Sequence, residues 1–148
     1  MARFNLRVYA LITNEFNEIL IADEYRHGQF FSKFPGGGVE GNEGIKEALF
    51  RELKEELQLE IATADFFYFN EFYQASAFDN SNLVAFYYRV SVDKNEIAIS
   101  NSMYQIPFFI EQEKQRWIDL NHLQTTDLTF PIDQLVLEKL QKEYLSLE

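Results

Sequence analysis

The chain has 148 residues, the size of a single domain able to bury a core, and 47% of them are hydrophobic and 16% aromatic, which excludes a disordered polymer. Its net charge of −11 argues against a nucleic-acid polymer as partner, but not against a small phosphate compound held by a metal or by local basic groups. The absence of cysteine excludes disulfides and thiolate metal sites. No run reaches transmembrane length, and Met1-Ala2-Arg3-Phe4 does not open a signal peptide, so a cytoplasmic protein with no membrane partner is expected.

Taken in order, Arg3 to Thr13 alternates weakly and turns apolar, as a strand entering a buried sheet does. Asn14 to Asn17 reads as a turn and Glu18 to Asp23 as the antiparallel return. Tyr25 to Lys33 is expected to be a loop carrying Arg26, His27 and Lys33. A helix follows, with Asn42 as its N-cap, Glu43 in its first turn, an apolar stripe of Ile45, Ala48, Leu49, Leu53 and Leu57, and a Glu47–Arg51 pair at i,i+4. Glu60 to Gln74 and Leu83 to Val92 are strand-like, with most of Phe66, Phe67, Tyr68, Phe69, Phe72 and Tyr73 expected in the core. Arg116 to Leu120 is a short strand that includes a core Trp117, and Ile132 to Tyr144 is a closing helix. This order suggests an α/β fold, a mixed sheet packed between helices in an α/β/α sandwich.

One stretch carries the chemistry. Phe34 to Leu59 opens with Pro35 and the glycines Gly36, Gly37 and Gly38, where backbone must turn or approach something closely. Its helix then places Glu52, Glu55 and Glu56 on one face beside Arg51. Carboxylates that close repel one another, and a hard divalent cation with oxygen ligands, Mg²⁺ or Mn²⁺, relieves the repulsion. Without the glycines the same helix would read as a solvated, salt-bridged face.

These residues resemble the Nudix box, G-x5-E-x7-R-E-U-x-E-E-x-G-U. Gly37, Glu43, Arg51, Glu52, Leu53, Glu55, Glu56 and Leu59 match it, and Gln58 stands where the family has glycine. Arg116-Trp117 and Phe130-Pro131 are similar to later family segments, which extends the resemblance over a single Nudix domain, residues 1–148. The resemblance implies a MutT-like pyrophosphohydrolase that splits a nucleoside diphosphate derivative by attack of water on phosphorus, with a nucleoside triphosphate preferred on size. Its alternative is a non-catalytic Nudix module that binds a nucleotide or nucleotide sugar, but such modules typically lose box acids that this chain keeps.

By resemblance, Glu52 and Glu56 are the main metal ligands, Glu55 is a ligand or the base, and the Gly37 carbonyl also coordinates. Glu43 and Arg51 orient the box. An acidic ligand upstream of Trp117 is expected at Glu111, with Glu113 the second choice. Arg26 and Lys33 are candidate phosphate contacts, weighed against ordinary surface charges. Asp133 or Gln134 is a candidate nucleobase contact, weighed against helix capping. His27 and His122 lack metal-site spacing. A glycine at position 58 would end the helix left-handed, so a different helix exit is expected for Gln58. The resemblance also allows a homodimer.

Overall fold

The computed structural model describes residues 3–97 and 112–146. They form two compact units, one from Met1–Leu11 and Pro35–Ser91, the other from Ile12–Phe34 and Val92–Glu148.

The first unit is organised on β1 (Phe4–Thr13), which continues into the second unit. The glycine run is itself a short strand, β4 (Gly36–Gly38), antiparallel to β1 with Val8 opposite Gly37 and Tyr9 opposite Gly36. Gly36 has φ 144°, and a Cβ there would lie 2.1 Å from the Val8 carbonyl oxygen, so the pairing excludes any side chain. Next to β1 lies β6 (Asn82–Ser91), and next to β6 lies β5 (Asp65–Phe69). The Asn82 amide donates to the Arg3 carbonyl at 2.8 Å and the Val92 amide to the Thr13 carbonyl at 2.9 Å, so β1 and β6 run parallel while β5 and β6 are antiparallel. Helix α1 (Ile45–Leu57) buries Ala48, Leu49 and Leu53, as its spacing predicts. Complete burial of each leucine contributes about 1.5–3 kcal/mol.

Three local expectations change here. The helix is capped by Gly44, not Asn42: Ala48 N–H donates to the Gly44 carbonyl, and Glu47 Oε1 accepts from the Gly44 amide at 3.3 Å. Glu47 therefore serves the cap instead of the expected pair with Arg51. At the other end Gln58 does take the left-handed conformation, φ 54° and ψ 31°, with its N–H on Lys54 O and the Leu59 N–H on Leu53 O. The exit is the one a glycine would make, because two otherwise orphaned carbonyls are satisfied by it. The strand expected over 60–74 contracts to Asp65–Phe69, and its aromatic run is not core: Phe66, Phe69, Phe72 and Tyr73 are exposed and Phe67 and Tyr68 only half-buried.

In the second unit β2 (Glu18–Arg26) pairs with β3 (Gln29–Lys33) on one side and with β7 (Gln112–Asp119) on the other, from Glu18 opposite Asp119 to Tyr25 opposite Gln112. The β2–β3 hairpin occupies the stretch expected to be a loop. His27 and Gly28, at φ 53° and 73°, both accept the positive φ that a tight two-residue turn demands. Helix α2 (Pro131–Ser146) buries Ile132, Val136, Leu137 and Leu140, and Gln141 Nε2 donates to the carbonyls of Leu120 and Leu123. Trp117 is in this core.

Candidate active site

The first unit assembles the box residues around Arg51. Eight residues and two helical turns separate Arg51 from Glu43, which lies in the turn before α1. Its carboxylate accepts from Arg51 Nη2 at 2.7 Å and from Nε at 3.0 Å, a forked grip that a guanidinium makes and an ammonium cannot. Glu43 also accepts the Glu40 amide at 2.9 Å, and Arg51 Nη2 donates to the Gly38 carbonyl at 3.0 Å. One guanidinium thus ties the turn, the glycine strand and the helix together. The hydrogen bond from Arg51, aided by the Glu40 amide, holds the Glu43 carboxyl below the usual carboxylate range, and the same contact keeps Arg51 charged at any accessible pH.

The remaining nitrogen, Arg51 Nη1, reaches Glu52 at 3.2 Å and Glu55 at 3.3 Å, with Glu40 at 3.9 Å. These contacts are longer than the 2.7–2.9 Å usual for charge-assisted bonds, so the two box carboxylates are held loosely. Glu52 lies directly against the glycine strand: a Cβ on Gly37 would come within 2.5 Å of its Oε1. A side chain at position 37 would therefore have to displace the Glu52 carboxylate it faces. Glu56, one turn beyond Glu52, is half-buried, and its Oε2 is out of contact with solvent.

Glu52, Glu55, Glu56 and the Gly37 carbonyl offer oxygen donors only, beside a backbone strand in which Gly36 admits no side chain. That donor chemistry fits a hard divalent ion and excludes a soft one. Among the described residues no three acidic or imidazole side chains are already gathered into a cage, in keeping with Glu52 and Glu55 leaning on Arg51. Beside the box an open cleft of about 530 Å³ is lined by Phe4, Leu6 and Ile45 on its apolar side and by Glu40 and Glu43 on its acidic side.

The other expected site residues belong to the second unit. Lys33 is not a surface charge: it is buried, 3.8 Å from Glu24 and 3.9 Å from Glu113. Arg26 pairs with Glu24 at 2.9 Å. Both cations are thus engaged by carboxylates, Lys33 in a buried position and Arg26 with its side chain 56% exposed. Burial pushes the Glu113 carboxyl up, with Lys33 opposing and Glu24 adding to the shift. Asp133 is buried in the first turn of α2. His27 forms the hairpin turn and His122 is exposed. Glu111 lies outside the described residues. The sequence reading missed a buried grip in this unit: Arg116 Nε donates to Asp23 Oδ2 at 2.6 Å, and Ser32 Oγ to Asp23 Oδ1 at 2.6 Å. The charge of Asp23 directly after the apolar run Ile19-Leu20-Ile21-Ala22 was its one signal.

Comparison with known proteins identifies the family and the fold. The family model for the NUDIX domain matches residues 3–140. An RNA pyrophosphohydrolase of Shewanella frigidimarina is 39% identical over 56 residues, a match that covers 38% of this chain and 31% of that protein. The chain thus matches about a third of that relative's length. Among solved structures, the MutT protein of Methanosarcina mazei aligns with a TM-score of 0.69 at 19% identity over 97% of this chain and 96% of its own. The E. coli ORF135 protein aligns with a TM-score of 0.66 at 22% identity, over 95% and 91%. These structures show the fold, a Nudix-type α/β/α sandwich with a mixed sheet.

Proposed function

Since the chain belongs to the NUDIX domain family, we propose that residues 1–148 act as one metal-dependent pyrophosphohydrolase domain on a small nucleotide derivative. The observation that carries this reading is the Arg51 grip, which sets Glu52 against Gly37 while leaving the inner carboxylates loosely held. Glu52, Glu56 and the Gly37 carbonyl would hold Mg²⁺ or Mn²⁺, with Glu55 as a further ligand or the base. A bound divalent ion would offset the charge of the pyrophosphate oxygens and lower the cost of ionising water.

The chain's own residues supply position and proton transfer. Glu55 is the most exposed of the box carboxylates, so it is the one able to reach a solvent molecule. In the step, a water oxygen bonds to phosphorus, the bridging P–O bond breaks, and the Glu55 carboxylate takes the proton from the water. The bridging oxygen leaves with the second phosphate. The chain's excess negative charge argues for a small substrate over a nucleic-acid polymer, and a nucleoside triphosphate is preferred on size. The absence of cysteine supports a reducing, cytoplasmic setting.

The test is phosphate release with Mg²⁺ or Mn²⁺ across nucleoside triphosphates, ADP-ribose, dinucleoside polyphosphates, nucleotide sugars and a 5′-triphosphorylated oligonucleotide. Cleavage of one class, lowered roughly a hundred-fold or more in Glu56→Gln, is expected. No cleavage of any class, with one ligand raising the melting temperature, would replace the hydrolase with a binding module.

A further inference from the structure

The glycine strand has two sides, and the box uses one of them. Gly37 faces Glu52, and Val8, paired with Gly37, shares that side. Gly36 and Gly38 point the other way. A Cβ on Gly36 would lie 3.0 Å from the Tyr9 ring, and one on Gly38 would lie 3.6 Å from Arg7 Nη1. Across the strand from Glu52, with glycine backbone between them, there is thus an arginine that the metal chemistry does not use.

Arg7 is half-buried and held in a defined pose. Its Nε donates to the Tyr9 hydroxyl at 2.6 Å, and its Cζ lies 5.7 Å from the centroid of the same ring. Tyr9 is fixed in turn, because it is buried and its ring packs 5.4 Å from that of Tyr87. In the parallel strands β1 and β6, a step of two residues back from Tyr9 and Tyr87 sets Ala85 beside Arg7. The row across the sheet therefore reads Gly38, Arg7, Ala85, and nothing larger than a methyl group flanks the arginine. A guanidinium oriented through Nε carries two parallel N–H donors at its tip, on Nη1 and Nη2.

Such a fork fits a planar partner with two adjacent acceptors. On the reading given above, the pyrophosphate lies with its ion on the Glu52 side. β4 is only three residues long, roughly 10 Å, so a nucleotide held there by its phosphates can bring its base past the strand end. We propose that Arg7 selects the base, taking one that shows two neighbouring acceptors on one edge: guanine through O6 and N7, or cytosine through O2 and N3. Adenine sets its N6 amino group beside N7, and uracil sets N3–H between its carbonyls, so each turns a donor toward the arginine. The proposal rests on the nucleotide reading and adds base selectivity to it.

Calorimetric titration with the α,β-methylene triphosphates of the four bases, in Mg²⁺, tests it. These analogues are not cleaved at that bond, so the readout stands even if turnover of the natural triphosphates is absent and the hydrolase reading fails. The guanine or the cytosine analogue should bind roughly 10- to 100-fold tighter than those of adenine and uracil, and the stronger of the two names the base. Arg7→Gln should abolish that preference and raise adenine relative to the others, because an amide pairs with N6 and N7 of adenine. Binding of inorganic triphosphate should stay the same. If Arg7→Gln does not fold, Tyr9→Phe, which keeps the ring but releases Nε, should narrow the preference several-fold. Equal binding of all four analogues, binding of none, or a preference for adenine or uracil would overturn the proposal. So would a preference that persists in folded Arg7→Gln, or in Tyr9→Phe where that variant is the one read.

Discussion

Arg51 and Arg116 each donate through Nε to a carboxylate, Arg51 to Glu43 at 3.0 Å and Arg116 to Asp23 at 2.6 Å, but their settings differ. The Arg116 side chain is 5% exposed, and its carboxylate partner also holds a buried serine; Arg51 is 25% exposed and extends its last nitrogen to two further glutamates at 3.2 and 3.3 Å. A buried ion pair has no substitute solvent, so its geometry is tight and costly to disturb. A half-exposed guanidinium can share its charge among several carboxylates and yield them when a stronger cation competes. The second unit therefore uses its arginine to hold strands in place, and the first uses its arginine to present acids.

Removing one side of each pair tests this contrast. Asp23→Asn should cost about 3–5 kcal/mol in urea unfolding, since it leaves the Arg116 charge buried and uncompensated. A loss below 1 kcal/mol would mean that the grip is exchanged easily, as it is at Arg51. Arg51→Lys should lower turnover roughly 10- to 100-fold with little loss of stability, because an ammonium keeps the charge but cannot span Glu43 and Gly38 together. Equal turnover would reduce Arg51 to its charge.

A partly exposed pair lies at the weak end of the series. Lys94 Nζ sits 2.8 Å from Glu18, and its hydrogen bond holds the Glu18 carboxyl below the ordinary carboxylate value, against an opposing contribution from burial. The lowered native pKa means that the unfolded chain binds the proton more tightly, so this stabilisation is present at neutral pH and is lost as pH falls below about 4.5. Lys94→Met should therefore lower stability by about 0.2–1 kcal/mol at pH 7, and its unfolding curve should converge on that of the parent in acid. Parallel curves would assign the loss to packing. The smallest effect belongs to the helix exit. Gln58→Gly should raise stability by about 0.5 kcal/mol, the relief of a left-handed side chain less the added freedom of the unfolded glycine, as thermal unfolding would show.

The box was legible because its chemistry is local. Helical spacing alone places Glu52, Glu55 and Glu56 on one face, and the closeness of Gly37 to Glu52 is a contact that the motif encodes. What escaped was set by partners far along the chain. Asp23 and Arg116 are 93 residues apart, and only the β2–β7 register brings them together. Lys33 looked like a surface charge because Glu24 and Glu113 arrive from neighbouring strands to bury it. The β3 strand was taken for a loop because the turn before it, His27-Gly28, is short enough to hide among polar residues. Alternation places most of the aromatics from Phe66 to Tyr73 in the core, and the slip of register between Phe66 and Tyr68 is an event that alternation cannot represent.

The alternation of the two units along the chain has a consequence for how the molecule is made. The first unit's chain leaves at Leu11 and resumes at Pro35, and the second resumes at Val92. As a ribosome delivers the chain, β1 emerges long before its partner β6, and β2 waits longer still for β7. Both pairings are thus closed by late-arriving strands across long stretches of chain, which slows folding relative to a molecule built from neighbours. A single cut anywhere between residues 12 and 91 severs the chain of both units at once, whereas a cut after Ser91 leaves every segment of the first unit on one fragment.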